Sequence, residues 1–352
     1  MGLPEIMIEF KTAASTAVSR SGNGVAALIL RDTTSSANTL QSYSYTREAQ
    51  VVKAHWTAAN LDYINKTFLG NPSRVLVERI GGDDTYDAAL GRLKSKKWNY
   101  LAIPDLADED CNEIGEWIVA QRGDGKTFKA VLPNYAANHE GVINFATGDI
   151  KVDSKTYTAS QYCPRIAGLI AGTPLDASCT YAALPEVDSI TESIDPDGDV
   201  DAGKLILIND GTNIKIGRAI NSLVTLNGNK TEDMQKVKIV DGMDLIRDDI
   251  RKAFEDNYIG IANSYDNKVL FVNAVNVYLS GLVRDGVLYD AYDNRAYIDV
   301  AAQRAWLEGK DPAYAEYGDE DIKKANTGSR VFAAAAVKFC DAIEDLVFAI
   351  YM

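Results

Sequence analysis

Gly203 to Asn257 reads GKLILINDGTNIKIGRAINSLVTLNGNKTEDMQKVKIVDGMDLIRDDIRKAFEDN, and the chain divides around it. Leu205 to Ile208 is an apolar run closed by Asn209-Asp210-Gly211, residue types that accept the backbone of a tight turn. Ile214 and Ile216 then alternate around Lys215, so the stretch predicts strand, turn, strand. A polar, glycine-bearing break follows at Thr225 to Asn229. Beyond it Val237, Val240, Leu245, Ile246, Ile250 and Phe254 recur near the three-to-four spacing of one helical face, which predicts a long amphipathic helix. A hairpin feeding a helix is information about fold. It carries no nucleophile, ligand cluster or phosphate loop.

Upstream, apolar runs and helical patterns alternate. Strands are expected at Val25–Leu30, Arg74–Ile80, Tyr100–Ile103 and Phe128–Leu132, with helices at Thr57–Phe68, Thr85–Lys94 and Asp108–Arg122 between them. Strands separated by helices of about ten to fifteen residues indicate crossover units and a mostly parallel sheet covered on both faces. Val142 to Tyr157 reads as strands around a turn at Thr147–Asp149, and Gln161–Ala171 as a helix. In that helix Ala167, Gly168, Ala171 and Gly172 permit close packing. Asp188 to Asp201 is an acidic connector.

Downstream, Lys268–Arg284 predicts a second long helix, followed by strands near Val287 and Tyr297, a helix at Val300–Glu308 and a polar loop at Asp311–Asp321. Ser329 to Phe339 and the apolar terminus Leu346 to Met352 read as strands. At the other end Ile6, Ile8 and Phe10 alternate with Met7 and Glu9 ahead of a small-residue tether. The expected division is an arm over residues 1–24, an α/β core over 25–226, a smaller α+β portion over 227–330 and terminal strands over 331–352. Each end presents a strand that must find a sheet. The two ends could pair with each other, or the tether of Thr12 to Asn23, reaching about 3.3 Å per extended residue, could carry the first to a neighbouring molecule.

The totals narrow the class. In 352 residues there are 36 Lys and Arg against 50 Asp and Glu, a net charge of −14. That balance argues against non-specific nucleic-acid or anionic-membrane binding, both of which need clustered basic residues. No apolar run approaches the length of about 20 residues that spans a bilayer. The cysteines, Cys111, Cys163, Cys179 and Cys340, form no CxxC pair and read as free thiols of a reducing compartment. The start MGLPEIMIEF lacks a secretion pattern, so synthesis in the cytoplasm is expected.

Candidate chemistry fails motif by motif. Neither His55 nor His139 has a GxSxG or comparable nucleophile turn in its company. Gly123-Asp-Gly-Lys126-Thr127 resembles the end of a phosphate loop, but Ala120 stands where the first glycine belongs and a helix precedes it. It reads as a helix end and turn. Asp195, Asp197, Asp199 and Asp201 alternate, but Val200 and Ile206 occupy the glycine and glutamate positions of a calcium loop. No catalytic residue, cofactor or metal is expected. Strand-like ends on a large acidic body point to assembly by β-strand addition.

Three stretches carry a resemblance. RIAGLIAGTPLDASCTY at Arg165–Tyr181, GKLILINDG at Gly203–Gly211 and RAINSL at Arg218–Leu223 resemble the tail sheath proteins of contractile phage tails. The likeness is to the short sheaths of Gram-positive phages and phage-tail-like bacteriocins. It continues through Met243–Asn257, Lys268–Arg284 and NTGSRVF at Asn326–Phe332. The resemblance implies a subtilisin-like parallel-sheet core without protease activity and a smaller α+β C-terminal domain with strand-exchanging terminal arms. It also implies hexameric rings stacked as a helical sheath, with the inner tail tube protein, baseplate and tail-terminator proteins as partners. Assembly would occur in the host cytoplasm, without nucleic acid or membrane contact. Strand exchange would run through Ile6, Ile8, Phe10, Leu346, Val347, Phe348 and Ile350, and the tube would meet Lys323, Lys324, Arg304 and Lys310. An α/β hydrolase or nucleotide-binding enzyme with an unrecognised site is the rival reading. An adhesin or capsid-like shell is a third, and the adhesin lacks an export signal.

Overall fold

The computed structural model describes residues 24–34 and 41–352, so the N-terminal strand expected at Ile6, Ile8 and Phe10 lies outside the described residues. The chain forms two compact units. One runs to Asp241 and includes Ala342–Met352; the other spans Gly242–Asp341.

The larger unit is built on a seven-stranded sheet. Its strands are β1 (Val25–Arg31), β2 (Ser42–Tyr45), β3 (Arg74–Ile80), β4 (Tyr100–Ala102), β5 (Lys129–Pro133), β6 (Val142–Phe145) and β9 (Lys204–Leu205). They lie in the order β2-β3-β1-β4-β5-β6-β9, parallel throughout except for β2, which runs antiparallel to β3. The period-two alternation of a strand sends its side chains to opposite faces. Ala26, Leu28 and Leu30 of β1 join Val75, Val77, Tyr100, Val131 and Phe145 in one buried layer. Ala27 and Ile29 join Leu76, Leu101, Ala130 and Leu132 in the other.

Helices α1 (Ala58–Phe68) and α4 (Ala159–Gly172) cover the first face, and α2 (Asp87–Lys94) and α3 (Asp108–Gly123) the second. Each begins where the sequence supplies a start signal. Thr57 Oγ1 accepts the Asn60 N–H, and Thr158 and Gln161 close a reciprocal capping box on α4. Asp108, Glu109 and Asp110 sit at the positive end of the α3 dipole. On α4 the small residues are needed: a Cβ at Gly168 would overlap the Thr67 carbonyl, and one at Gly172 the Gly70 carbonyl.

The apolar run after Gly203 is split between two sheets. Lys204–Leu205 extends the large sheet beside β6, while β10 (Leu207–Asn209) and β11 (Ile214–Ile216) form the hairpin, with Leu207 opposite Ile216. Ile206 stands between them, its carbonyl accepting the Gly217 N–H at 2.8 Å. The turn is tied by Asp210 Oδ1, which accepts the Thr212 and Asn213 N–H groups. After β6 the chain also departs from expectation. The turn lies at Asp153, between β7 (Ile150–Val152) and β8 (Lys155–Tyr157), because β6 and β7 belong to different sheets. The acidic connector ends in α5 (Pro196–Asp201), where Asp195 caps the Gly198 N–H and Lys204 pairs with Asp199 at 2.7 Å.

Helix α6 (Val237–Asn257) begins in the larger unit and continues into the smaller. The smaller unit adds α7 (Tyr265–Arg284), β12 (Arg295–Ile298), α8 (Val300–Glu308), α9 (Asp319–Lys324) and β13 (Ala333–Ala336). β12 and β13 pair antiparallel, Ala296 opposite Ala335. Near Val287 there is a single bridge, Leu288 to Phe339, in place of the expected strand. The expected polar loop contains a 3-10 turn at Pro312–Glu316 and then α9.

Candidate subunit interface

In a parallel sheet, chemistry is sought at the carboxyl ends of the strands. There the polar groups are committed to holding the fold. Asp32, just past β1, accepts the Thr34 and Thr57 N–H groups and the Asn60 side-chain amide, all within 2.8 Å. Burial pushes its carboxyl up, but these hydrogen bonds outweigh that and leave its pKa below the ordinary value. Asp105, past β4, accepts from Tyr63 and Gln161.

His55 lies against the Tyr43 ring. His139 uses Nδ1 to accept the Gly141 N–H at 2.9 Å, and burial foremost lowers its pKa, helped by Lys230 and Arg122 against Glu140. The Gly123–Thr127 segment is a helix end: Gly125 and Lys126 donate to the Arg122 and Gln121 carbonyls. Lys126 lies over the Phe128 ring. Among the described residues no three His, Cys, Asp or Glu are grouped to hold a metal, and no helix is long and apolar enough to cross a membrane.

The exposed apolar surface lies elsewhere. In the C-terminal segment Leu346 is 84%, Val347 98%, Phe348 76% and Ile350 78% exposed. The segment is paired with no strand among the described residues. Its root, in contrast, is fastened to the larger unit. Glu344 Oε1 accepts from Thr180 Oγ1 at 2.6 Å and Ser178 Oγ at 3.1 Å, and Asp345 pairs with Arg218 at 2.6 Å. The Glu344 side chain is only 8% exposed. Ser178, Thr180 and Arg218 belong to two of the stretches that carry the family resemblance. A clasp centred on the near-buried Glu344 thus ends in a bare apolar tail.

The smaller unit holds the complementary irregularity. A two-stranded sheet is marginal by itself, and β13 is four alanines on which Ala333 and Ala335 are exposed. Across from them Ile298 and Ala296 are buried. On the face shared by these four residues β12 is therefore covered and β13 is not.

The basic residues expected at the tube are already engaged. Arg304 donates to the Tyr314 and Tyr317 carbonyls and pairs with Asp319 at 2.8 Å. Lys323 pairs with Glu320 at 2.7 Å. Lys310 and Lys324 lie over the rings of Trp306 and Tyr265. The four sit on or beside α8 and α9, and sequence reasoning had no view of the acids that answer them.

Comparison with known proteins bears directly on such a molecule. Residues 79–222 match the phage tail sheath protein central domain and residues 229–352 the phage tail sheath C-terminal domain. The tail sheath protein of Clostridium phage phiCD119 is 38% identical over 363 aligned positions, spanning 100% of this chain and 99% of the relative. In fold, the chain is similar to the helical sheath of the anti-feeding prophage in its contracted state, with TM-score 0.69 and 14% identity over 100% of this chain and 99% of that one. It is likewise similar to a sheath tail protein from Desulfitobacterium hafniense, with TM-score 0.68 and 16% identity over 84% and 94% of the two chains. With two family domains over most of its length and a full-length relative at this identity, the chain belongs to the tail sheath proteins of contractile phage tails.

Proposed function

We propose that this sheath subunit polymerises around an inner tail tube as stacked hexameric rings, on a baseplate and beneath a tail terminator, after synthesis in the host cytoplasm. Contraction of the polymer drives the tube through a bacterial envelope. The bare terminal segment, fastened at its root through Glu344, supports this reading more than any other feature. An isolated molecule exposing Leu346, Val347, Phe348 and Ile350 leaves about 1.5–3 kcal/mol unrealised per large side chain. A neighbour that covers them recovers it. In the same reading residues 1–24 form the second arm, exchanging Ile6, Ile8 and Phe10, and residues 331–352 the terminal strands. The parallel sheet with helices on both faces supports a subtilisin-like description of the core over 25–226, with the α+β portion over 227–330.

Contraction then needs no chemistry. Packed interfaces switch between discrete arrangements, and a few kcal/mol per subunit, repeated along the polymer, accumulates while the arms keep neighbours linked. Tube contact is assigned to Lys323, Lys324, Arg304 and Lys310. Among the described residues Lys310 and Lys324 form no carboxylate pair comparable to Arg304–Asp319 and Lys323–Glu320, so they are the stronger pair for an acidic surface.

Purified protein, alone or with its tube protein, should form tubes visible by negative-stain electron microscopy. A species that stays monomeric at high concentration by light scattering would sink the proposal. Charge reversal at Lys310 and Lys324 should weaken tube co-sedimentation in a salt-dependent way. Unchanged co-sedimentation at both low and high salt would remove these residues from the tube interface.

A further inference from the structure

The two edges of the β12–β13 sheet are not equivalent. On α7, Asn276 donates from Nδ2 to the Ala296 carbonyl at 3.1 Å and accepts the Ala296 N–H through Oδ1 at 2.7 Å. A carboxamide presents an N–H donor and a carbonyl acceptor side by side, as a strand's backbone does. This one side chain therefore occupies both outward groups of Ala296, in the middle of β12, as a neighbouring strand would. A strand arriving there would have to displace it.

The other edge has no such guard. Along β13 and its continuation, even-numbered residues face inward. Lys338 accepts the Tyr289 N–H and donates to Asn294 Oδ1, each at 2.8 Å, and Cys340 donates to the Val287 carbonyl at 2.9 Å. The intervening residues Ala333, Ala335 and Val337 turn their backbone groups the other way, and no hydrogen bond meets them among the described residues. Unpaired edges of this length are what added strands use. The alanines also leave a shallow surface, and packing favours large side chains against small ones.

We infer that Asn276 makes this sheet one-sided: by sealing β12 it directs the Leu346–Met352 arm of a second copy to the β13 edge. The inference rests on the arm exchange proposed above and goes beyond it by fixing the accepting edge and the residue that selects it. The arm suits the site. Leu346, Phe348 and Ile350 fall on one side of an extended segment and Val347 and Tyr351 on the other, all exposed.

Disulfide trapping tests it, because the geometry is nearly all-or-none. Residues opposite each other on adjacent strands have Cα atoms about 4.5–5.5 Å apart. A strand one place further away lies about twice the 4.8 Å spacing off, beyond the reach of about 7 Å for a disulfide. In a Cys340→Ser background, where the remaining cysteines are buried, polymers are formed from two chains mixed. One chain carries Ala335→Cys or Tyr297→Cys, and the other a single cysteine at one position of 346–350 or at Ile6, Ile8 or Phe10.

The expected result is a cross-linked dimer from Ala335→Cys with the C-terminal arm and none from Tyr297→Cys. Adding Asn276→Leu, which keeps the side chain's branching but removes both hydrogen bonds, should make the Tyr297→Cys product appear. A Tyr297→Cys cross-link with Asn276 intact overturns the guard while leaving arm exchange standing. So does an unchanged pattern in a folded Asn276→Leu polymer. Cross-linking of Ala335→Cys to the N-terminal positions alone overturns the choice of arm. Ordered polymer with no cross-link at either strand overturns arm exchange itself, and the guard with it. The comparison of Ala335→Cys with Tyr297→Cys does not depend on Asn276→Leu folding.

Discussion

Arg165 is the side chain on which the motif Arg165–Tyr181 turns. It lies on α4 with 4% of its side chain exposed, its Nε 2.6 Å from Glu186, which also accepts the Tyr162 hydroxyl at 2.8 Å. Burial pushes the Glu186 carboxyl up, but the Arg165 hydrogen bond and charge outweigh it and hold the pKa below its ordinary value. A carboxylate depressed in the folded state contributes stability that is full above its unfolded pKa, about 4.3, and is lost as pH falls through the folded value. Thermal melts should therefore drop below about pH 4.3, and Glu186→Gln should flatten part of that drop. At pH 7 the same substitution leaves Arg165 buried without a countercharge and should cost about 3 kcal/mol. If its melt at pH 7 matches the parent, the pair is not holding α4. Sequence alone marks Arg165 as part of a motif but not as half of a pair, because Glu186 lies beyond the end of that helix.

At the scale of elements, the long helices were legible and edges were not. The seams of α1, α4 and α7 follow from apolar period and capping residues, and β1, β3 and β5 from apolar runs bounded by turn residues. β2, Ser-Tyr-Ser-Tyr at 42–45, was invisible because a short edge strand needs cover on one face only, and its serines look like loop. The split of Leu205–Ile208 between two sheets is hidden for a related reason: both sheets accept the same apolar residues, and only partner strands distant in sequence decide. What sequence does disclose is close packing. Gly168 of α4 faces the Thr67 carbonyl, where no Cβ fits without moving backbone. Gly168→Ala should cost about 1–3 kcal/mol, whereas Gly123→Ala, at the end of α3 with open space around it, should stay within about 0.5 kcal/mol. Equal chemical-denaturation midpoints for the two variants would refute the close-packing account of the small-residue run.

For the whole molecule, the clasp fastens one terminus to the fold, and in the proposed function the tail beyond it serves the polymer. The residues that form the clasp are 127 to 166 positions apart in sequence, so no local pattern could join Arg218 or Thr180 to the terminus. The tail itself was legible, since an uncharged apolar end must be covered by something. Two truncations separate the roles. Removing 346–352 leaves Glu344 on Ser178 and Thr180, and should give a folded monomer whose melting temperature is unchanged. Removing 342–352 takes the clasp as well and leaves the half-buried Ser178 and Thr180 hydroxyls without the Glu344 acceptor, a loss of about 1–3 kcal/mol. It should abolish polymer and also lower the melting temperature by a few degrees. Restoring Glu344 and Asp345 without the apolar residues should recover the temperature but not the polymer. Electron microscopy reads one arm of the comparison and calorimetry the other. Ordered sheath from the 346–352 truncation would end the strand-exchange mechanism. Equal melting temperatures for the two truncations would show that the clasp serves only to aim the tail.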